Sequence, residues 1–206
     1  MASFYRLFVK LFFLFLICFI SLNVSAQSYI EYVNAEIQFL DNTKKEGLAL
    51  IKPSSDKISF KESKKEKRVK YNHYDVARLI LKRDTVVREF RYKKSPDRRA
   101  PRLLQVVIDN DDVSLYATFT KYKPGGLIGA IFNIEETDYI YYLVKNQSKD
   151  AIYVGEKGLT SRKRMSKVIK KHLGDCPDLV KKANEKEFRL KDIKQIVEYY
   201  NSNCSK

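Results

Sequence analysis

The sequence predicts an α+β protein in which an antiparallel β meander precedes a C-terminal segment of about three helices. Two observations support this fold class: short apolar stretches alternate with turn residues up to about Glu156, and the apolar period lengthens after Gly158. A third observation, an apolar stretch near the N-terminus, separates the first 26 residues from the rest. The predicted organisation is a signal peptide over 1–26, a β body over 27–156 and a helical segment over 157–206.

The β body begins with a strand in which Val33, Ala35, Ile37 and Phe39 alternate with polar residues. Turn residues at 53–56 and 110–112 predict two hairpins. Their strands are 48–51 with 58–60, and 103–108 with 113–119. Further strands are expected at 69–71, 77–81, 86–92, 139–144 and 151–154. This spacing is typical of a curled sheet, a sandwich or a small barrel, and the local pattern does not give the strand order.

The helical segment has three apolar stripes. Met165, Val168, Ile169 and His172 follow helical spacing, with Ser161 as a candidate N-cap and Gly174 as a stop. Pro177 suits the first turn of a second helix that carries Leu179, Val180 and Ala183. Ile193, Ile196, Val197 and Tyr200 predict the third helix.

The N-terminus has the three parts of a secretory signal peptide. Arg6 and Lys10 precede an apolar stretch, Leu11 to Leu22, and the small residues of Val24-Ser25-Ala26 follow it. The stretch is shorter than the roughly 20 residues that a membrane-spanning helix needs. We expect cleavage after Ala26, with an uncleaved N-terminal anchor as the alternative. The predicted location is the periplasm, the outer membrane or the exterior.

Cleavage would leave two of the three cysteines, Cys176 and Cys204. In an oxidising compartment such a pair usually forms a disulfide bond. Cys176 precedes the second predicted helix and Cys204 follows the third. The bond would therefore hold these two helices together as an antiparallel pair.

A resemblance to known proteins rests on the signal peptide, the strand-rich body and two C-terminal stretches. The stretches are Cys176-Pro177-Asp178-Leu179 and Ile196-Val197-Glu198-Tyr199-Tyr200-Asn201-Ser202-Asn203-Cys204. The chain resembles small exported proteins of Bacteroidota, whose function is mostly uncharacterised. The resemblance is specific over about the last 30 residues. It implies an envelope or secreted location in a Gram-negative host. It carries no catalytic residues across, because none are established for such proteins.

The formal charge of the chain is +15, and removal of Arg6 and Lys10 with the signal peptide leaves +13. Such a charge concerns partners and solubility rather than fold. An export signal disfavours nucleic acid and favours an anionic envelope surface or another envelope protein, with peripheral membrane contact as one form. The alternative is a lysine-rich surface that is only solvated. The sequence does not give the oligomeric state.

The basic residues form three sequence clusters that we take as candidate anion-binding residues. The first is Lys64, Lys65, Lys67 and Arg68, followed by Lys70. The second is Lys93, Lys94, Arg98 and Arg99, followed by Arg102. The third is Arg162, Lys163, Arg164 and Lys167, followed by Lys170 and Lys171. In the third cluster the apolar stripe should face inward and leave the cations on the opposite face.

A glycine-rich segment from Gly125 to Phe132 is the candidate apolar contact loop. Its apolar residues are Leu127, Ile128, Ile131 and Phe132, beside Lys121 and Lys123. Apolar side chains next to cations suit a membrane interface or an apolar partner. The alternatives are a loop packed over the sheet and, with weak support because no Gly-Lys-Ser/Thr sequence follows, a phosphate-binding loop.

The sequence predicts neither a cofactor nor a metal site. His73 and His172 are far apart in sequence, and Gly174 and Pro177 interrupt any helical alignment of His172 with Cys176. No Gly-x-Ser-x-Gly motif is present. Two acidic clusters could serve a carboxylate-based glycosidase but suit turns: Asp109, Asp111 and Asp112, and Glu135, Glu136 and Asp138. The leading hypothesis is a non-enzymatic binding protein, and the competing one is an exported hydrolase.

Overall fold

The computed structural model describes residues 31–51, 56–96, 98–119 and 139–204. Within these residues ten antiparallel strands form one open sheet, and three α-helices follow, so the predicted α+β class is confirmed. The strands are β1 (Val33–Phe39), β2 (Lys44–Ile51), β3 (Ile58–Lys61), β4 (Val69–Tyr71), β5 (Val76–Arg83), β6 (Val86–Lys93), β7 (Arg102–Ile108), β8 (Val113–Phe119), β9 (Tyr139–Lys145) and β10 (Ile152–Glu156). The helices are α1 (Arg162–His172), α2 (Pro177–Asn184) and α3 (Ile193–Asn203), with a 3₁₀ helix at Leu190–Asp192 before α3.

The strand order is β10-β9-β8-β7-β6-β5-β1-β2-β3-β4. Two meanders, β1 to β4 and β5 to β10, are joined because β5 pairs with the free side of β1. Both predicted hairpins are present, as β2 with β3 and as β7 with β8. The insertion of β1 between β2 and β5 is the feature that the local pattern does not encode.

The first half of the sheet curls. Three strands lie between β4 and β5, so a flat sheet would separate them by about 19 Å. The connection 72–75 lets the chain span only about 17 Å between Tyr71 and Val76. Curling brings the ring of Tyr71 on β4 to 5.0 Å from that of Phe39 on β1, although β2 and β3 lie between these strands.

One face of the sheet carries two apolar clusters. The curled half encloses the first, which includes Ile37, Leu79 and Phe90. The helices cover the second, in which Val113, Leu115 and Leu143 of the strands pack with side chains of all three helices. Among the described residues, no helix is long and apolar enough to span a membrane.

A transverse row of paired residues crosses this face from β1 to β10: Ile37, Leu79, Phe90, Gln105, Ala117, Tyr141 and Gly155. The row begins in the first cluster and reaches residues that pack against the second. Gln105 stands near its middle and is 7% exposed. A buried carboxamide in such a row marks the junction between the two apolar clusters.

The helices are fixed to the sheet and to each other by polar links and one covalent link. Cys176 and Cys204 form the predicted disulfide bond, with their Cα atoms 5.3 Å apart. The side-chain amide of Asn201 on α3 donates to the carbonyl of Val113 on β8 at 2.8 Å. These links hold α3 against the second half of the sheet, which the three helices together cover.

Candidate anion-binding sites

Helix α1 forms where the sequence predicts it. The hydroxyl of Ser161 accepts a hydrogen bond from the backbone N–H of Arg164 at 3.2 Å and caps the first turn. Met165 and Ile169 are fully buried in the helix-covered cluster, and Leu173 at the C-cap joins them. Burial of this stripe fixes which face of α1 points to solvent.

The solvent face of α1 is uniformly basic. Its exposed cations are Arg162, Lys163, Arg164, Lys167, Lys170 and Lys171. We call this set the α1 basic face. None of the six makes an ion pair with a described residue. Arg164 instead lies over the ring of Tyr153, 4.6 Å from its centroid, and its cation is in favourable contact with the ring face.

The charges in the first turn of the α1 basic face are unfavourable for an isolated helix, whereas Lys170 and Lys171 in the last turn suit the helix dipole. The first turn holds no acidic residue and three cations, which oppose the positive N-terminal end of the helix dipole. Like charges three and four residues apart, such as Lys163 with Lys167, also repel. A bound anion would relieve both effects.

A groove with a volume of about 490 Å³ runs along this face. Its described lining contains no acidic residue and includes the cations Lys163, Arg164, Lys167 and Lys171 with Leu159, Val168 and His172. Leu159 is 75% exposed. Burial, followed by the charges of Lys171 and Lys145, lowers the pKa of His172. The groove thus combines cations with an exposed apolar side chain.

The second sequence cluster is divided: Lys93 and Arg98 make side-chain contacts within the fold, whereas the side chains of Lys94 and Arg99 are exposed. Half-buried Lys93 donates to the carbonyl of Ser148 at 2.7 Å and lies 5.4 Å from the ring centroid of Tyr116. Burial is the main reason that the pKa of Lys93 is lowered. The backbone of Lys94 bridges to Asp150, and Arg98 pairs with Asp56 at 2.8 Å. Arg99 is exposed.

The first cluster lies in the turn between β3 and β4. All four of its candidate residues are exposed: Lys64, Lys65, Lys67 and Arg68. Lys64 lines a depression that also contains Glu46 and Glu62, so the local charge is mixed. The cavities lined by residues of the first and third clusters are separate.

A further cavity, with a volume of about 450 Å³, lies between the sheet and the C-terminal segment. We call it the junction cavity because Gln105 lies on its wall. Its described lining is Arg88, Gln105, Val106, Val107, Ala117, Tyr139, Tyr141, Lys157, Leu190, Lys191 and Lys194. Four of these residues are cationic and none is acidic. The sequence pattern does not indicate this site, because its cations are scattered along the chain.

Two residues of the lining carry a buried polar atom without a hydrogen-bond partner in the described part of the chain: the Nε of Arg88 and the Oε1 of Gln105. Burying a polar atom without a partner costs roughly 1–3 kcal/mol. Burial also raises the pKa of Tyr141, so its hydroxyl stays protonated at neutral pH. The lining residues therefore include one unpaired donor and one unpaired acceptor.

Of the described acidic residues of the predicted hydrolase site, Asp109 and Asp111 use their carboxylates in contacts within the fold, and Asp112 uses its backbone N–H. Asp109 receives two hydrogen bonds from Arg91, at 3.0 and 2.6 Å. Asp111 accepts from the side chain of Gln147, and the N–H of Asp112 donates to Asn110 at 3.0 Å. Glu135, Glu136 and Asp138 lie outside the described residues.

No group of three potential metal ligands occurs among the described residues. Cys176 is in a disulfide bond and so does not combine with His172 as a thiolate ligand. The candidate contact residues Leu127, Ile128, Ile131 and Phe132 lie outside the described part of the chain. Comparison with protein-family models, with curated proteins and with solved structures finds no match.

Proposed function

We propose that this chain is an exported, non-enzymatic binding protein of the cell envelope whose α1 basic face contacts an anionic surface. The observation that carries the proposal is the set of six exposed cations on one helix face without an ion-pair partner among the described residues. Elsewhere in the described fold some cations are offset by carboxylates, as Lys45 is by Glu62 at 2.5 Å. On α1 the compensating charge would come from the partner.

The groove along α1 supports a lipid surface as that partner. Exposed Leu159 beside Lys163 and Lys167 gives an apolar contact next to cations, which is the composition of interfacial membrane-binding helices. Each cation near an anionic membrane contributes about 1 kcal/mol. Several such cations could give reversible, salt-sensitive binding.

The disulfide bond supports the exported location. Bonds of this kind persist in oxidising compartments and are rare in the cytosol. The bond between Cys176 and Cys204 joins the N-terminus of α2 to the end of α3 and so contributes to the architecture of the helical segment. An envelope or secreted location would allow it to form.

The test is sedimentation of the purified protein with phosphatidylglycerol vesicles and with phosphatidylcholine vesicles, at low and high salt. We expect pelleting with the anionic vesicles alone and release by salt, because screening weakens exposed charge contacts. Replacement of Lys163, Arg164, Lys167 and Lys171 by Gln should abolish pelleting.

The matched control replaces the same number of exposed cations elsewhere, with Lys64, Lys65, Lys67 and Arg68 changed to Gln. This variant should retain most of the binding. Equal loss in the two variants would show that net charge rather than the α1 basic face drives binding. Absence of pelleting in the unmodified protein would refute the membrane-surface proposal.

A further inference from the structure

We propose that the junction cavity binds a single anionic amphiphile, a molecule with a carboxylate or phosphate head, a neighbouring hydrogen-bond donor and an apolar tail. This site is separate from the α1 basic face. The proposal does not depend on the membrane contact, because no lining residue of the junction cavity belongs to that face.

The cations of the cavity favour an anionic ligand over a neutral or cationic one. Arg88, Lys191 and Lys194 line it, and none of the three makes an ion pair with a described residue. Lys157 adds a fourth positive charge to the lining. Arg88 lies on β6, Lys191 on the 3₁₀ helix and Lys194 on α3. The charges therefore converge on the cavity from the sheet and from the helical segment. Convergent cations in a partly enclosed space favour a compact anionic head.

The buried polar atoms define what the head must offer. The Nε of Arg88 is an unpaired donor, which an anionic oxygen would satisfy. The Oε1 of Gln105 is an unpaired acceptor, which an O–H or N–H of the ligand would satisfy. A head with only acceptor atoms would leave Gln105 unpaired, so we infer a donor close to the anionic group.

The position of Gln105 argues against a role for its carboxamide in packing alone. Its neighbours in the transverse row are Phe90 and Ala117, and both are buried. A leucine in its place would extend the apolar face without leaving an unpaired polar atom. Ala117 beside it is small, and both residues belong to the lining of the cavity.

The remaining lining suits an apolar tail. It consists of Val106, Val107, Ala117 and Leu190 with the rings of Tyr139 and Tyr141. The volume of about 450 Å³ lies within the range of small-molecule sites, about 300–1,000 Å³. Mostly apolar walls with a few polar groups are the usual composition of such sites.

The test is isothermal titration calorimetry of the purified protein with two probes below their critical micelle concentrations. N-dodecanoylglycine carries a carboxylate beside an amide N–H, and dodecyl phosphate carries a phosphate that is partly protonated near neutral pH. We expect saturable binding of one molecule per chain for at least one probe, and the tighter probe identifies the head group. Dodecanol and dodecyltrimethylammonium, which lack the anion, should bind at least tenfold more weakly.

Matched variants locate the site. Lys191→Gln with Lys194→Gln should weaken binding at least tenfold, whereas Lys64→Gln with Lys65→Gln removes two exposed cations outside both the cavity and the α1 basic face and should have little effect. Gln105→Leu should reduce the preference for N-dodecanoylglycine over dodecanoate, which lacks the N–H. Circular dichroism would confirm that each variant is folded.

Three results would overturn the proposal. The first is absence of saturable binding to the unmodified protein. The second is equal binding of the neutral or cationic amphiphile. The third is equal weakening by the two lysine double variants, since that would indicate general electrostatic attraction. Each can occur whether or not the protein binds anionic vesicles through α1, so failure here is distinguishable from failure of the membrane contact.

Discussion

The hydroxyl of Tyr200 on α3 donates a hydrogen bond to Asp175, with 2.6 Å between the oxygen atoms. Lys145 of β9 lies 3.6 Å from the same carboxylate and 5.4 Å from the centroid of the Tyr200 ring. The three side chains come from the sheet, from the connection between α1 and α2 and from α3. Their contacts join the helical segment to β9 of the sheet.

Removal of this hydroxyl should weaken the junction. Tyr200→Phe keeps the buried ring but loses the bond to Asp175, so we expect the free energy of unfolding to fall by about 1 kcal/mol. Tyr199→Phe, which loses an exposed hydroxyl bonded to Asp178 at 3.0 Å, is the control and should have a smaller effect. Urea denaturation of the three proteins gives the comparison.

The same variant should show a specific pH dependence. The bond from Tyr200, then the charge of Lys145, lowers the pKa of Asp175. A lowered carboxyl pKa contributes stability above its unfolded value of about 3.9, and this contribution is lost as the pH falls through the folded value. The difference between the unmodified protein and Tyr200→Phe should therefore shrink below about pH 4. A difference that stays constant from pH 7 to pH 3 would contradict this assignment.

His172 should make the protein less stable in mild acid. Burial and the nearby Lys171 and Lys145 lower its pKa, so the unfolded chain takes up a proton at a higher pH than the folded chain. The contribution of neutral His172 to the free energy of unfolding is fully present above about pH 6.5. It is lost as the pH falls toward the pKa of His172 in the folded protein. Denaturation from pH 7.5 to pH 5 should show this decline, and His172→Gln should flatten it.

Bound anionic vesicles should raise the pKa of His172, because the histidine lines the same groove as Lys163 and Lys167. Nuclear magnetic resonance titration of the imidazole with and without vesicles measures the change. An unchanged titration midpoint would place the bound surface away from α1.

The disulfide bond should be a large contributor to stability. Its cysteines are 28 residues apart, and on the chain-entropy model closure of such a loop stabilises by about 3–4 kcal/mol. Cys204→Ser should lower the melting temperature, and a reducing agent should have the same effect on the unmodified protein but no further effect on the variant. An identical melting temperature with and without reductant would refute this role.

Gly47 on β2 should not tolerate a side chain. A Cβ atom there would lie 2.3 Å from the carbonyl oxygen of Lys61 and 2.7 Å from the ring of Phe60. Gly47→Ala must displace the backbone of β3, so we expect a loss of about 1–3 kcal/mol. Glu46→Ala, at the exposed preceding position, should stay within about 0.5 kcal/mol of the unmodified protein. Thermal unfolding of the two variants measures both effects.

The elements of the fold could be predicted because they depend on local patterns. The alternation from Val33 to Phe39 and the apolar spacing of Met165 and Ile169 specify a strand and a helix without knowledge of their partners. The pairing of β1 with β5 joins segments more than 35 residues apart through backbone hydrogen bonds, which have no side-chain signature. The strand order was therefore beyond the sequence pattern.

The candidate sites differ in the same way. The α1 basic face is contiguous in sequence, so its cations and its inward stripe could be recognised together. The junction cavity takes Arg88 from β6, Lys157 after β10 and Lys194 from α3, and only folding brings them together. One signal was available: Gln105 is the single polar residue between Leu103 and Ile108.

The hydrogen bond between Asn201 and Val113 joins residues that lie 88 positions apart in the sequence, so the last helix can cover the sheet only at a late stage of folding. A chain that has emerged only as far as Glu156, at whatever site folding takes place, contains every described strand but none of the described helices that cover Leu115 and Leu143. The face of the second meander that carries these two residues remains uncovered until residues 162–203 have also emerged. The interval of greatest aggregation risk falls just before that point, when a chaperone that shields apolar strands would be of most use.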